Sequence, residues 1–61
     1  MKNKYIIIRK DIGTFYNEDY NVFCKYGTIY TNKKTAEHKK KHAIKYAIKK
    51  ENVEVEVIKI I

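Results

Sequence analysis

Residues 32–57 read NKKTAEHKKKHAIKYAIKKENVEVEV, and one change of period within them decides the fold. Through residue 50 this stretch has no Gly and no Pro, and its only β-branched residues are Thr35, Ile44 and Ile48. At 100° per residue, Ala36, Ala43, Ala47, Ile44 and Ile48 fall on one arc, so the spacing predicts a helix over residues 33–50 with a lean alanine seam facing a sheet. Thr31 or Asn32 supplies the N-cap, and Asn52 closes the helix. Lys33 and Lys40 lie in the same sheet-facing arc, so their stems have to run outward over the sheet. Beyond Asn52, Val53-Glu54-Val55-Glu56-Val57 alternates strictly before Ile58-Lys59-Ile60-Ile61 turns apolar on both sides, which predicts a final strand over 53–61.

Upstream of the helix the chain reads as strands. Residues 4–10, KYIIIRK, are β-branched and aromatic and end at the turn residues Asp11-Ile12-Gly13-Thr14. Both faces of this strand are apolar, which suits a central position. Phe15 and Tyr16 extend a hairpin that Asn17-Glu18-Asp19 interrupts. Residues 20–25 and 28–31 then read as a second hairpin turning at Tyr26-Gly27, with Gly27 supplying a positive φ or sitting in a longer, bulged loop. The expected fold is one small α+β domain over residues 1–61: a mainly antiparallel sheet in β-β-β-α-β order with one helix packed on one face.

Length and composition narrow the function classes. A chain of 61 residues buries only about 60% of its unfolded surface. With the single Cys24 it has no internal disulfide to add stability. The remaining routes are a densely packed core, for which ten Ile, four Val, six Tyr and two Phe provide material, or a partner such as a second copy. Tyr5-Ile6-Ile7-Ile8 is the longest apolar run, far below the roughly 20 residues of a membrane span. The basic start Met1-Lys2-Asn3-Lys4 is followed by neither a long apolar region nor a cleavage signal, so the chain reads as cytoplasmic with no membrane role.

Charge carries the functional signal. The net charge is +7, and residues 32–50 hold all of the excess: Lys33, Lys34, Lys39, Lys40, Lys41, Lys45, Lys49 and Lys50 against Glu37. The other 42 residues balance six cations with six acids. Thirteen lysines to one arginine also reflects an AT-rich codon supply. Codon supply accounts for part of the basicity, but by itself does not explain why the excess is clustered. On the helix, Lys34, His38, Lys41, His42, Lys45 and Lys49 form one stripe, with Lys39, Lys50, Tyr46 and Tyr26 as secondary contact candidates. The like-charge pairs Lys41/Lys45 and Lys45/Lys49 each cost about 0.2–0.5 kcal/mol of helix stability, and Glu37 with Lys41 returns one such increment. A polyanion or acidic surface would relieve that repulsion. The stripe has no Arg, Asn or Gln to read base edges, so a nucleic acid would be met through phosphates. Lys34, Lys41, Lys45 and Lys49 together give a salt slope of about −3.6 on duplex DNA.

Chemistry finds little support in the residues. His38 and His42 have the i, i+4 spacing of a metal pair, but Lys39-Lys40-Lys41 lie between them and no third ligand is apparent. They read instead as extensions of the basic stripe. Cys24 reads as a small buried hydrophobic residue of a strand, without a positioned base. In so small a domain the aromatics are expected mainly in the core, with Tyr16, Tyr20 and Tyr26, which flank loops, as the candidates for the alternative of base stacking. No cofactor, metal site or enzyme activity is expected.

The junction Gly27-Thr28-Ile29-Tyr30-Thr31-Asn32-Lys33-Lys34-Thr35-Ala36-Glu37 is similar to the strand and helix start of the arm-type DNA-binding domains of phage integrases. The closing strand 53–61 departs from that family's three strands plus helix, so no site residue is carried over. Two functions are expected. One is a small non-enzymatic basic module contacting nucleic acid or a nucleoprotein complex through the helix. The other is a phage- or mobile-element-type inhibitor or adaptor, anti-CRISPR-like, that docks the same stripe on an acidic host protein, with a homodimer compatible with either.

Overall fold

The computed structural model describes residues 3–47 and 53–61. Its elements are β1 (Tyr5–Arg9), β2 (Thr14–Asn17), β3 (Val22–Cys24), α1 (Lys33–Ala43), a 3₁₀ turn (Ile44–Tyr46) and β4 (Val55–Lys59). The strands form one antiparallel sheet in the spatial order β3-β2-β1-β4, with α1 against it. The α+β class and the β-β-β-α-β order expected from the sequence are those of the structure.

β1 is central, as its two apolar faces require. It pairs with β4 along its whole length, from Tyr5 opposite Lys59 to Arg9 opposite Val55. Its odd residues face the helix. Ile7 joins Tyr16, Tyr30, Ala36 and Ala43 in the buried core, with Tyr5, Phe23, Val55 and Val57 packed around them. By strand alternation Ile6, Ile8, Phe15 and Ile58 lie on the other face.

The middle of the chain differs from the sequence reading. Residues 28–31 are not a strand, and no hairpin turns at Tyr26-Gly27. The hairpin partner of β2 is the three-residue β3, and the turn between them places Asn21 at φ 52°, with its Oδ1 accepting the Tyr16 hydroxyl at 2.9 Å. The other positive φ among the described residues, 69°, belongs to Gly13 in the β1–β2 turn. Gly27 is needed for space. A Cβ built there would lie 2.5 Å from the Phe15 Cβ and 2.7 Å from the Ile6 Cδ1, so the chain runs tight against the face opposite the helix. It then rises between two strands. The β1–β2 ladder holds only Ile8–Phe15 and Arg9–Thr14. In the gap beyond, Thr28 donates its N–H to the Tyr16 carbonyl at 2.9 Å, and Tyr30 exchanges two backbone bonds with Tyr5 at 2.7 and 2.9 Å. Tyr30 emerges on the helix side, where its hydroxyl donates to Glu18 Oε1 at 2.7 Å. Burial first, and that bond second, push its pKa above the ordinary tyrosine value.

The helix is also shorter than its periodicity suggests. α1 ends at Ala43, the 3₁₀ turn follows, and Ala47 is already extended with ψ 127°. An 18-residue helix would reach about 27 Å. The five-residue strands beneath it span about 17 Å, and the chain has to turn back to begin β4 opposite Arg9. The expected helical residues 48–50 and the closing Asn52 lie outside the described residues.

Ala36, Ala43 and Ala47 are buried as the seam requires, but Ile44 is 49% exposed. Ile44 sits one step, about 100°, round from Ala43, which takes it off the sheet and onto the helix flank. Ile48 lies outside the described residues.

The sequence reading also overlooked the one charged residue in the core among the described residues. Arg9, 1% exposed, occupies the helix-facing side of β1 with Tyr5 and Ile7. Its Nε donates to both Asp11 carboxylate oxygens, at 2.9 and 3.1 Å. Asp11 Oδ1 also accepts the Glu54 N–H at 3.3 Å, while Lys10 donates its N–H to the Glu54 carbonyl at 2.8 Å and pairs through Nζ with Glu56 at 2.8 Å. The β1–β2 turn is thereby tied to the start of β4. Burial acts to raise the Asp11 pKa, but the Glu54 N–H, the Arg9 guanidinium and Asp11's own N–H outweigh it and hold the carboxyl below its ordinary value. The hydrogen bond from Lys10, followed by its charge, does the same for Glu56.

Two outcomes are expected. Gly27→Ala forces Phe15 or Ile6 to move and lowers unfolding free energy by about 1–3 kcal/mol, read from the urea midpoint. For acid, a depressed folded-state pKa means the unfolded chain binds more protons near pH 4, so stability falls as pH drops through the carboxylate range. Melting temperature measured against pH should decline there in the wild type and decline less steeply in Asp11→Asn.

Candidate basic interface

The basic surface is placed by the helix cap and the alanine seam. Asn32, in extended conformation with φ −127° and ψ 123°, accepts the Lys34 and Thr35 N–H groups on its Oδ1 at 2.8 and 3.3 Å. Of the two residues that could cap the helix, Asn32 is the one used. Lys33 and Lys34 follow directly, and the first turn has no acid. The cap therefore works against two cations at the positive end of the helix dipole.

Ala36 and Ala43 are fully buried and fix which side of α1 meets the sheet. Opposite them lie Lys34, His38 and Lys41 at i, i+4 and i+7, all exposed, and Lys45 continues the line on the 3₁₀ turn. Lys33, Lys34, Glu37, His38 and Lys41 border a shallow furrow. All five come from one helix, so this is a space between side chains and not a cavity. Among the described residues the only ion pairs are Arg9–Asp11 and Lys10–Glu56. Among these residues no lysine of α1 makes an ion pair, and Glu37 makes none with Lys41.

The other predicted residues are dispersed. His42 is exposed but turns toward the flank over β2, where its ring meets Tyr46 edge-on at 5.3 Å. Tyr46 stacks on Tyr16 at 6.3 Å with an 18° interplanar angle, and Tyr16 meets Phe23 at 5.5 Å. Tyr46 is therefore part of an aromatic row that holds the 3₁₀ turn onto the sheet. Lys39 and Lys40 are half-buried beside the seam, so Lys39 is not on the outer face. Lys49 and Lys50 lie outside the described residues. Of the stacking candidates, Tyr16 is fully buried, whereas Tyr20 and Tyr26 are each 75% exposed on loops. The Cys24 thiol, half-buried on β3, donates to the Tyr26 carbonyl at 3.1 Å. His38 and His42 do not share an environment, and among the described residues no three His, Cys, Asp or Glu side chains gather as metal ligands.

A second concavity, about 240 Å³, is bordered by Arg9, Ile12, Val22, Phe23 and Tyr46. Arg9 already spends its Nε on Asp11 there, so the hollow is mainly apolar. The sequence does hold a signal for it. Arg9 is two residues from Ile7 and two from Asp11, which puts it on the buried side of the strand within reach of a turn carboxylate.

No helix of the described residues is long and apolar enough to cross a membrane. No family model matches the chain, and neither the curated proteins nor the solved structures yield a match.

Replacing Asn32 by Ala removes the acceptor for two helix N–H groups and is expected to cost about 1 kcal/mol. Helical circular dichroism and the urea midpoint should fall together. Unchanged values would mean that packing of Ala36 and Ala43 alone sets the helix start.

Proposed function

We propose that this chain is a small non-enzymatic module that contacts nucleic acid, alone or within a nucleoprotein complex, through the outer side of α1 and the 3₁₀ turn. The observation that carries the reading is the row Lys34, His38, Lys41 and Lys45. It is exposed, faces directly away from the alanine seam, and has no ion-pair partner among the described residues. A phosphate backbone would relieve the repulsion between these lysines and release its own counterions. Recognition is by charge and spacing. The chain's only arginine, which would be the residue for bidentate contact with guanine, is buried as Arg9.

That same burial supports the second reading, an inhibitor or adaptor that sets the row against an acidic protein surface. Lysine suffices for charge complementarity with a protein and gives up only base readout. Both readings place the contact in the cytoplasm.

On duplex DNA, Lys34, Lys41 and Lys45 are expected to contribute about −2.7 to the slope of log K against log salt. The triple change of these residues to Gln should remove most of that slope while leaving the circular dichroism unchanged. Absence of salt-dependent binding to DNA and RNA by the wild type overturns the first reading. A host protein captured by the wild type and lost with the triple change would then establish the second.

A further inference from the structure

β4 is an edge strand, and its geometry contains a specific way to pair with itself. Ile60 donates its N–H to the Lys4 carbonyl and Lys10 donates to the Glu54 carbonyl, so the even residues of this segment turn their backbone groups toward β1. The odd residues Val55, Val57 and Lys59 point theirs outward. Among the described residues no strand lies on that side.

The flank of α1 beside this edge is also defined. α1 packs over β1 and β4, and Lys40 is half-buried beside its alanine seam. The opposite flank is the one occupied by His42 and Tyr46 over β2. Helical spacing then puts Lys33, Glu37, Lys40 and the exposed Ile44 on the β4 side.

We propose that two copies of the chain join antiparallel through β4 about a twofold axis at Val57, forming one eight-stranded sheet. Hydrogen-bonded antiparallel neighbours must both point their backbone groups across the junction, so only odd residues can oppose odd residues. This parity has a consequence for the faces: both copies present the same face on the same side, and the two helices lie together. The axis at Val57 sets Val57 against Val57, Val55 against Lys59 and Glu56 against Ile58. It uses all five residues of the strand without opposing like charges. An axis at Glu56 or at Lys59 would set two identical charges against each other.

Helix spacing agrees with this arrangement. α1 packs over β1 and β4, and strands are about 4.8 Å apart, so the twofold axis brings the two helix axes to about 10 Å, the separation of packed helices. Ile44 then has a partner surface. Glu37, the only acid on the flank among the described residues of α1, meets lysines of the other copy. This inference rests on the proposed function for its consequence: the two Lys34–Lys45 rows share one side and make a continuous basic surface.

The test is sedimentation equilibrium on the full chain without nucleic acid, so its failure is separate from any failure to bind DNA. The expected mass rises toward twice 7.3 kDa as concentration increases toward about 1 mM. Chemical synthesis with an N-methyl group on Val57 removes an outward N–H that the β1–β4 ladder does not use. That chain should keep the circular dichroism of the wild type and stay at 7.3 kDa. Ile44→Lys, at an exposed position, should weaken dimerisation at least about tenfold, which serves if the methylated chain does not fold. A wild type that is monomeric throughout, or a dimer indifferent to both changes, overturns the proposal.

Discussion

The passage of the chain beneath the sheet at Gly27 is the constraint on which the rest of this fold depends. β3 ends on the outer edge, two strands from β1, whereas the helix has to begin near the centre to cover β1 and β4. The route leads under Phe15 and Ile6 and up through the gap between β1 and β2, where Thr28 and Tyr30 take over backbone groups that a longer β1–β2 ladder would have used. A side chain at position 27 would force Phe15 or Ile6 to move. The same segment carries Tyr30 to its place beside Ile7 and Ala36, from which α1 starts.

From that start, the alanine seam determines what the helix shows to solvent. Small residues let α1 approach β1 and β4 closely, and a close approach fixes its rotation more firmly than a few long side chains would. Rotation in turn sorts the lysines: Lys39 and Lys40 run along the sheet, while Lys34, Lys41 and Lys45 stand away from it. The unneutralised charge lowers helix stability slightly. Asn32 and the aromatic row Phe23–Tyr16–Tyr46 secure the two ends where fraying would begin.

The buried Arg9 acts at the other end of the sheet. A guanidinium in a core is costly unless its charge is met, and Asp11 meets it from the adjoining turn. Because Asp11 also accepts from Glu54, one carboxylate couples the central strand, the first turn and the start of β4. The far-face pair Lys10–Glu56 repeats that connection across the same two strands. With the helix on one face and the Gly27 segment on part of the other, β3 and β4 are the edges of the sheet among the described residues, and the five-residue β4 is the longer of the two.

Much of this was legible in the residues because it depends on local period. The apolar faces of Tyr5–Arg9, the alternation beginning at Val53 and the alanine spacing at 36, 43 and 47 each repeat within a few residues, and they determined the α+β class, the element order, the central strand and the basic outer face. The sequence by itself could not determine where α1 stops, that Ile44 faces solvent, that residues 28–31 fill a gap without forming a strand, or that Gly27 serves close packing. Those features depend on contacts between residues far apart in the chain: strand length against helix length, Phe15 and Ile6 against Gly27, Tyr5 against Tyr30. Local pattern carries no information about such distances. Only tertiary packing sets them, because steric exclusion and backbone pairing act between whichever segments the fold brings together.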